Sequence, residues 1–415
     1  MKKILFILYT CCILSFPVSA QQIPSFKAND RIVFLGNSIT EGGHYHSYIW
    51  LYYMTHFPNL PLRMYNGGIG GDCVSHMVYR FDSDIKIKKP TYLICSFGMN
   101  DSGFDGYNKP GYDKYANQQV EYAHTEFEKL QRQILADKKI KSVVLLGSPP
   151  YDENVKLKGV EVLHGKNETI KRIIEMQAEV AQKRGWGFVN FNTVMCGLNK
   201  QIQLSDSTAT FCGGDRIHPD KDGHMVMAYL FLKAQGLAGQ EIASFQINAT
   251  NRKAMEERNC RISHIKNEND TISFRYLSRS LPFPIDTIPR WGTKGTARDA
   301  IRQIPFMQEM NQEIMKVTDL HGIFRVTIDG IEIGCWSGDE LSKGVNLAEI
   351  SCTPQYQQSL SIMYLNEERC AIEKRLRQYM AMQYVFFKHR GLLFADNKAA
   401  LDAAKAERES HYLVK

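Results

Sequence analysis

Short apolar runs alternate with longer amphipathic segments between Asp30 and about Gly236. The runs are rich in β-forming residues and end in Gly, Asn, Ser or Pro, which predicts strands at 31–35, 62–65, 91–97, 140–146 and 188–191. The amphipathic segments predict helices near 47–56, 74–85, 119–136, 167–184 and 220–235. This alternation predicts an α/β domain with a five-stranded parallel sheet between two helical layers, in a three-layer, flavodoxin-like order.

The pattern changes after Gly239, where polar and apolar residues alternate in shorter segments. Residues 271–277 read as a strand, and Phe324 to Ile333 reads as a hairpin with Asp329-Gly330 at its turn. An amphipathic piece at 297–316 interrupts these strands. We therefore predict an α/β domain at 21–239 and a smaller β-rich accessory domain at 240–354.

A segment without Gly or Pro runs from Gln355 to Arg390 and predicts one long helix within a C-terminal helical segment at 355–415. Such a helix would span about 54 Å at about 1.5 Å per residue. Apolar residues recur along it at helical spacing, which predicts a stripe packed on the other domains. The predicted stripe consists of Ile362, Leu365, Ile372, Leu376, Tyr379, Met380, Phe386 and Phe387.

The first twenty residues resemble an export signal. Lys2 and Lys3 precede the apolar run Ile4 to Leu14, and the small-residue end Val18-Ser19-Ala20 precedes Gln21. The run is shorter than the roughly 20 residues that a membrane-spanning helix needs, and no later segment reaches that length. We expect cleavage after residue 20, secretion across the inner membrane, a periplasmic or extracellular location and no membrane span.

Charge and cysteine content limit the classes of partner and the cysteine chemistry that we expect. Lys and Arg exceed Asp and Glu only by 51 to 44, which gives no reason to expect nucleic acid or a membrane surface as partner. Eight cysteines remain after cleavage, without a CxxC pair, so disulfides are more expected than zinc or thiol redox chemistry. Cys196 and Cys212 flank a polar loop and form the favoured bridge.

Candidate chemistry follows the predicted strands one after another. Ser38, in Gly36-Asn37-Ser38-Ile39-Thr40, comes directly after the first strand, although a serine there is often only a helix cap. The glycine-rich turn 66–72 follows the second strand and leaves backbone N–H groups uncovered for an anion. Asn100 follows the third strand, where an ordinary Asx turn is the alternative. These positions share one edge of the predicted sheet, where open α/β sheets bind ligands.

The last block is Asp215-Arg216-Ile217-His218-Pro219, ahead of the final helix of the α/β region. A carboxylate three residues before an imidazole can bond one ring nitrogen and leave the other free, although such a pair alone is often structural or part of a metal site. Together with Ser38, the pair supplies a nucleophile, a base and an orienting acid, while the Gly-rich turn and Asn100 supply donors for an oxyanion. This combination predicts acyl transfer.

In these four blocks the sequence resembles the SGNH or GDSL-type serine hydrolases over Arg31 to His224. The resemblance implies that Ser38 is the nucleophile and that Asp215 and His218 complete the triad. It also implies an oxyanion hole formed by the Gly71 N–H, the Asn100 side chain and the Ser38 N–H. Asn37 stands where many members of that family carry Asp, beside the nucleophile and outside the triad.

The implied mechanism, through an acyl-enzyme, needs neither a metal nor another cofactor, and we predict none. His44 and His46 have no acidic or cysteine partner at a useful spacing, so we expect them to line the pocket mouth with Tyr45. The oligomeric state stays open.

The predicted substrate is a small-molecule or glycan ester, with acetyl groups on carbohydrate or polysaccharide as the first choice. Exposed aromatic residues, among them Tyr45, Tyr107, Trp291 and Trp336, would suit a sugar surface. The same catalytic groups would serve a lysophospholipase, thioesterase or arylesterase. A hypothesis of another class is a catalytically silent glycan-binding or scaffold protein, which the complete set of catalytic residues disfavours.

Overall fold

The protein is described by a computed structural model over residues 22–269, 271–289 and 294–382, with 399, 402, 403, 406 and 407. The predicted signal peptide lies outside the described residues, as do Trp291, Phe386 and Phe387.

One sheet of five parallel strands carries the α/β region, and its order β2-β1-β3-β4-β5 is the predicted flavodoxin-like one. The middle strands are buried on both faces, which explains why they read as continuous apolar runs. β1 lies between β2 and β3, with Val33 paired to Tyr65 on one side and Leu93 on the other. The predicted fold class is confirmed. The strands are β1 (Arg31–Gly36), β2 (Arg63–Gly68), β3 (Tyr92–Phe97), β4 (Ser142–Gly147) and β5 (Gly187–Asn190).

Helices cover both faces of this sheet, and each face has its own apolar core. Among the described residues no helix has the length and apolar character needed to cross a membrane. The helices are α1 (Ser38–Glu41), α2 (His44–His56), α3 (Val74–Arg80), α4 (Tyr112–Ala136), α5 (Lys166–Arg184), α6 (Phe191–Ile202) and α7 (Lys221–Ala234), with a π-helical turn at Phe81–Ile85 and a 3₁₀ turn at Lys86–Lys88.

The following region is β-rich, as predicted. Four strands form a sheet of order β13-β10-β6-β7, and two antiparallel ribbons, β8-β9 and β11-β12, lie beside it. The predicted hairpin is present, with both Asp329 and Gly330 at positive φ. The elements are β6 (Ala243–Asn248), β7 (Lys253–Arg258), β8 (Cys260–Glu268), β9 (Thr271–Ser278), α8 (Ala297–Ile301), α9 (Phe306–Met310), β10 (Glu313–Thr318), β11 (Ile323–Ile328), β12 (Ile331–Ser337), α10 (Gly338–Lys343) and β13 (Val345–Asn346), with a 3₁₀ turn at Leu347–Glu349.

A segment within the predicted accessory domain packs on the α/β region. Phe283, Ala297 and Phe306 are buried in the same apolar core as helices α2 and α7, separate from the core of the β-rich sheet. The proposed domain boundaries at 239 and 354 stay predictions. The packing shows that the chain around α8 and α9 completes the core of the α/β region.

The C-terminal helix α11 (Pro354–Met382) is present, but the predicted apolar stripe is largely wrong. Leu365 is 67% exposed, and Ile372 and Tyr379 are also exposed. The buried face instead carries Asn366 and Arg377 between the methionines at 363 and 380. Polar groups are buried there because they have partners on the α/β region, which periodicity of apolar residues does not reveal.

The favoured Cys196–Cys212 disulfide is also wrong, because both residues are free thiols. The Cys196 thiol donates to Asn192 Oδ1 over 3.5 Å, and the Cys212 sulfur accepts from Asn199 Nδ2 over 3.3 Å. Burial raises the pKa of both thiols. Cys212 is therefore a small buried group and Cys196 a half-buried one, each with an asparagine partner, and the two thiols form no bridge.

Candidate active site

Ser38 lies at the carboxyl end of β1, as the first residue of the short helix α1. Asn37 caps this helix, since its Oδ1 accepts from the Ile39 N–H over 3.0 Å. A Cβ at Gly36 would lie 2.0 Å from Thr40 Oγ1, so the turn from strand to helix needs a glycine there. The turn presents the Ser38 hydroxyl at the sheet edge, and the N–H groups of a first helical turn have no partner within the helix.

The structure brings Ser38, His218 and Asp215 together. Ser38 Oγ lies 2.8 Å from His218 Nε2, and His218 Nδ1 lies 2.5 Å from Asp215 Oδ2. The side chains of His218 and Asp215 are 44% and 50% exposed, so the site opens directly to solvent. The arrangement connects a hydroxyl to a carboxylate through one imidazole.

Hydrogen bonds to the Asp215 carboxylate favour its ionised form. Burial acts to raise the pKa of this carboxyl, but hydrogen bonds from the His218 side chain and from the N–H groups of His218 and Ile217 outweigh burial and lower the pKa. A carboxylate only accepts hydrogen bonds, so it requires the proton of neutral His218 to be on Nδ1. Nε2 is then free to accept the proton of Ser38.

Arg216 holds the turn that carries this pair, a role that the sequence did not predict. Its backbone has φ +70°, an uncommon value for a residue with a Cβ, and its side chain is buried. The guanidinium donates to the carbonyl oxygens of Asp152, Val155 and Val160. The only signal in the sequence is its place between Asp215 and His218. Arg216 therefore fixes the turn to the loop after β4.

The predicted oxyanion donors lie on the turns after β2 and β3. Gly71 has φ +78°, and its N–H makes no hydrogen bond to any described residue. The neighbouring Gly70 N–H, by contrast, donates to Glu41 Oε2 over 2.7 Å. Asn100 Nδ2 donates one hydrogen to the carbonyl oxygen of Asp72 over 3.0 Å, which orients its amide and leaves a second N–H for a ligand. The roles of Gly71 and Asn100 stay predictions.

Asn100→Ala is expected to lower kcat about 10²-fold, because an oxyanion donor acts on charge that develops only in the transition state. The Michaelis constant should change much less. Steady-state kinetics on nitrophenyl acetate measures both quantities. Asn108→Ala is the control, since Asn108 is exposed and its amide contacts Glu161 and Val162. An effect confined to the Michaelis constant would make Asn100 a substrate-binding residue instead.

A cleft of about 510 Å³ opens over the Ser38 hydroxyl. Helix α11 forms part of its wall, which the sequence analysis did not predict for any residue of the C-terminal segment. Glu41, from α1, is a further acidic neighbour of Ser38 that was not predicted from the sequence. The described residues that line the cleft carry no apolar side chain: Ser38, Glu41, Gly42, Gly214, Asp215, His218, Asp220, Lys374 and Gln378.

His44, Tyr45 and His46 were expected to line the pocket mouth, and this prediction is wrong for Tyr45 and His46. Tyr45 and His46 are buried beneath α1, where the Tyr45 hydroxyl bonds Thr40 Oγ1 and His46 Nε2 bonds the Thr40 carbonyl oxygen. Burial lowers the pKa of His46 to about 4, so this ring is neutral. Tyr107 is buried as well and does not provide a sugar surface. Within the described ranges no group of three or more His, Cys, Asp and Glu is placed to hold a metal.

Two protein-family models match the chain. Residues 34–226 match the GDSL-like Lipase/Acylhydrolase family, and residues 360–415 match the Diltiazem deacetylase C-terminal helical domain. A solved structure described as BT4096, a gut microbial diltiazem-metabolizing enzyme, is 49% identical, with a TM-score of 0.89 over 92% of this chain and 87% of that one.

More distant similarity covers about half of the chain. An acetylxylan esterase of Geobacillus stearothermophilus is 23% identical in an alignment 228 residues long that covers 50% of this chain and 95% of that protein. The crystal structure of Axe2, an acetylxylan esterase from Geobacillus stearothermophilus, is 20% identical, with a TM-score of 0.41 over 51% of this chain and 95% of that one.

Proposed function

The chain belongs to the SGNH or GDSL-type hydrolase family and is a serine esterase, and from this premise we propose that it removes acetyl groups from carbohydrate. One observation carries the choice of substrate: no described residue of the cleft has an apolar side chain. A long acyl chain would find no apolar surface there, although burial of each methylene is worth about 0.8 kcal/mol. A short acyl group on a hydroxyl-rich alcohol suits such a wall.

In the proposed reaction, His218 takes the proton of Ser38 while Ser38 Oγ attacks the acetyl carbonyl carbon. The N–H groups of Gly71 and Ser38 and the amide of Asn100 donate to the oxyanion of the tetrahedral intermediate. The C–O bond to the alcohol breaks, and the alcohol leaves with the proton from His218. Water, deprotonated by His218, then attacks the acetyl-enzyme and releases acetate and free Ser38.

The proposal predicts that kcat/KM does not rise with acyl length. In a series of nitrophenyl acetate, butyrate and octanoate, six additional methylenes buried in an apolar channel would favour octanoate by about 5 kcal/mol, more than 10³-fold. We expect a flat or falling series instead. Acetate release from acetylated xylo-oligosaccharides, measured beside the nitrophenyl esters, tests the alcohol part. A rise of about tenfold or more from acetate to octanoate would favour a lysophospholipase-type activity.

A second candidate substrate is the acetyl ester of a drug-like small molecule. It is favoured by the 49% identity with the diltiazem-metabolizing enzyme over most of both chains and by the match of residues 360–415 to the diltiazem deacetylase C-terminal domain. The comparison that separates the two candidates is kcat/KM for diltiazem against kcat/KM for an acetylated xylo-oligosaccharide. The candidate with the higher value is the better substrate class.

We propose a place outside the cytoplasm for this activity, on the basis of the predicted signal peptide at residues 1–20. N-terminal sequencing of the protein recovered from its native host is the test. Gln21 as the first residue is the expected result. An intact N-terminus on protein from the cytoplasmic fraction would contradict it.

A further inference from the structure

Helix α11 lines the catalytic cleft together with the turns that carry Ser38 and His218. We propose that Lys374 and Gln378 on this helix bind the alcohol part of the ester and determine substrate specificity. This inference rests on the proposed function and deepens it, since it names the groups that would recognise a hydroxyl-rich alcohol. It also gives the C-terminal segment a role in the reaction.

The helix is held firmly against the edge strand of the sheet. Glu373 Oε1 accepts from the Asn66 N–H over 2.7 Å, and Arg377 Nε donates to the Gly68 carbonyl oxygen over 3.1 Å. At residues 66 and 68 the backbone N–H and C=O groups of β2 point away from β1, toward the open edge of the sheet. The side chains of Glu373 and Arg377, one helical turn apart, bond these groups in the place where a further strand would otherwise lie. Arg377 also bonds both carboxylate oxygens of Asp84. The wall of the cleft is therefore a fixed surface.

Lys374 and Gln378 are one turn apart and share a face of α11. Lys374 is half-buried and Gln378 is exposed. Neither side chain has a hydrogen-bond or ion-pair partner among the residues that the structure describes. The docked face of the helix is different, because Asn366, Glu373 and Arg377 all have partners on the α/β region. The Lys374 ammonium and the Gln378 amide are thus available to bind a ligand in the cleft.

The charges of the cleft decide what these groups would bind. Glu41 accepts from Gly70 N and Asp215 accepts from His218, so these carboxylates already have donors. Lys374 is the one cation among the described lining residues, against three carboxylates when Asp220 is included. An anionic alcohol would be repelled by those carboxylates. A neutral alcohol rich in hydroxyl oxygens would accept from the Lys374 ammonium and the Gln378 amide without that repulsion.

The test compares two esters with one acyl group and different alcohols. Monoacetylated xylotriose offers hydroxyl oxygens to α11, and nitrophenyl acetate does not. For Lys374→Met we expect KM for the xylotriose ester to rise about tenfold with kcat within twofold, which is the loss of one hydrogen bond from a charged donor. Gln378→Leu should raise this KM by a smaller factor. Both variants should change kcat and KM for nitrophenyl acetate by clearly smaller factors than they change KM for the xylotriose ester.

Arg375→Met is the matched control, because Arg375 is an exposed cation next to Lys374 and is absent from the cleft wall. It should behave as the parent on both esters. Unchanged KM for the xylotriose ester in Lys374→Met would overturn the inference and leave the proposed function intact. An equal loss on both esters, or an equal loss in Arg375→Met, would also overturn it. A parent chain that cleaves nitrophenyl acetate and not the xylotriose ester would reject the carbohydrate substrate itself.

Discussion

Ser38→Ala should lower kcat for acetyl ester hydrolysis by about 10³-fold or more, the scale seen when a triad nucleophile is removed. The reason is the geometry around Oγ, which lies 2.8 Å from a His218 nitrogen that Asp215 leaves free to accept a proton. Without the hydroxyl no acyl-enzyme forms. The rate of acetate release from nitrophenyl acetate, with burst-phase kinetics to detect acyl-enzyme, is the measurement.

The fold should survive this change, because Ser38 is only partly buried and its hydroxyl bonds the solvent-open His218. Circular dichroism and the melting temperature should therefore match the parent. Ser207→Ala, at an exposed position between α6 and the Asp215 turn, should keep full activity. More than a tenth of the parent rate in Ser38→Ala would move the nucleophile elsewhere.

The sheet and the position of Ser38 at its edge could be predicted because each depends on local signals, whereas Asp215 and His218 follow α6 and a loop, and the resemblance to the SGNH or GDSL-type hydrolases implied that they meet Ser38. Strand runs such as Tyr92 to Phe97 are continuous and apolar, since they are buried on both faces. Parallel strands bring their carboxyl ends to one edge, so a residue just after a strand has its place in the site fixed by topology alone.

Contacts between distant parts of the chain could not be predicted in this way. Asn66 and Glu373 are 307 residues apart, and nothing local to either marks the hydrogen bond between them. The same holds for the partners of Asn366 and Arg377, which bury a polar face of α11 and leave Leu365 exposed. A periodic apolar pattern shows which face would be buried against an apolar surface. Such a pattern does not reveal the buried face of a helix that docks through ion pairs and amide hydrogen bonds.

Two further errors have the same origin. Tyr45 and His46 follow the Ser38 turn closely, which favours a position at the pocket mouth, but α2 runs beneath that turn and buries them. Cys196 and Cys212 are close enough in sequence to suggest a bridge, but Asn199 Nδ2 bonds the Cys212 sulfur. In each case nearness in sequence suggests exposure or bonding, although tertiary packing decides both.

Asp84→Asn should lower the free energy of unfolding by about 3 to 5 kcal/mol, the range expected when one partner of a buried ion pair is removed. Asp84 is fully buried, and its oxygens bond Arg80 and Lys88 at 2.5 Å and Arg377 at 2.7 and 2.8 Å. Burial alone would raise the pKa of Asp84, but the three cations outweigh it and hold the pKa well below the ordinary value. An amide would leave those cations with Asp72 as the remaining carboxylate of the cluster.

Urea unfolding at pH 7 measures the loss, and Asp82→Asn is its control. Asp82 lies two residues away in the same π-helical turn, but it is 68% exposed and 3.4 Å from Lys86, so its loss should cost less than about 1 kcal/mol. Because the pKa of Asp84 is lowered by folding, its contribution is present at neutral pH and is lost as the pH falls through that lowered value. The difference between parent and Asp84→Asn should therefore shrink in strong acid. Equal urea midpoints for Asp84→Asn and Asp82→Asn at pH 7 would show that the ion pairs of Asp84 do not contribute to the free energy of unfolding.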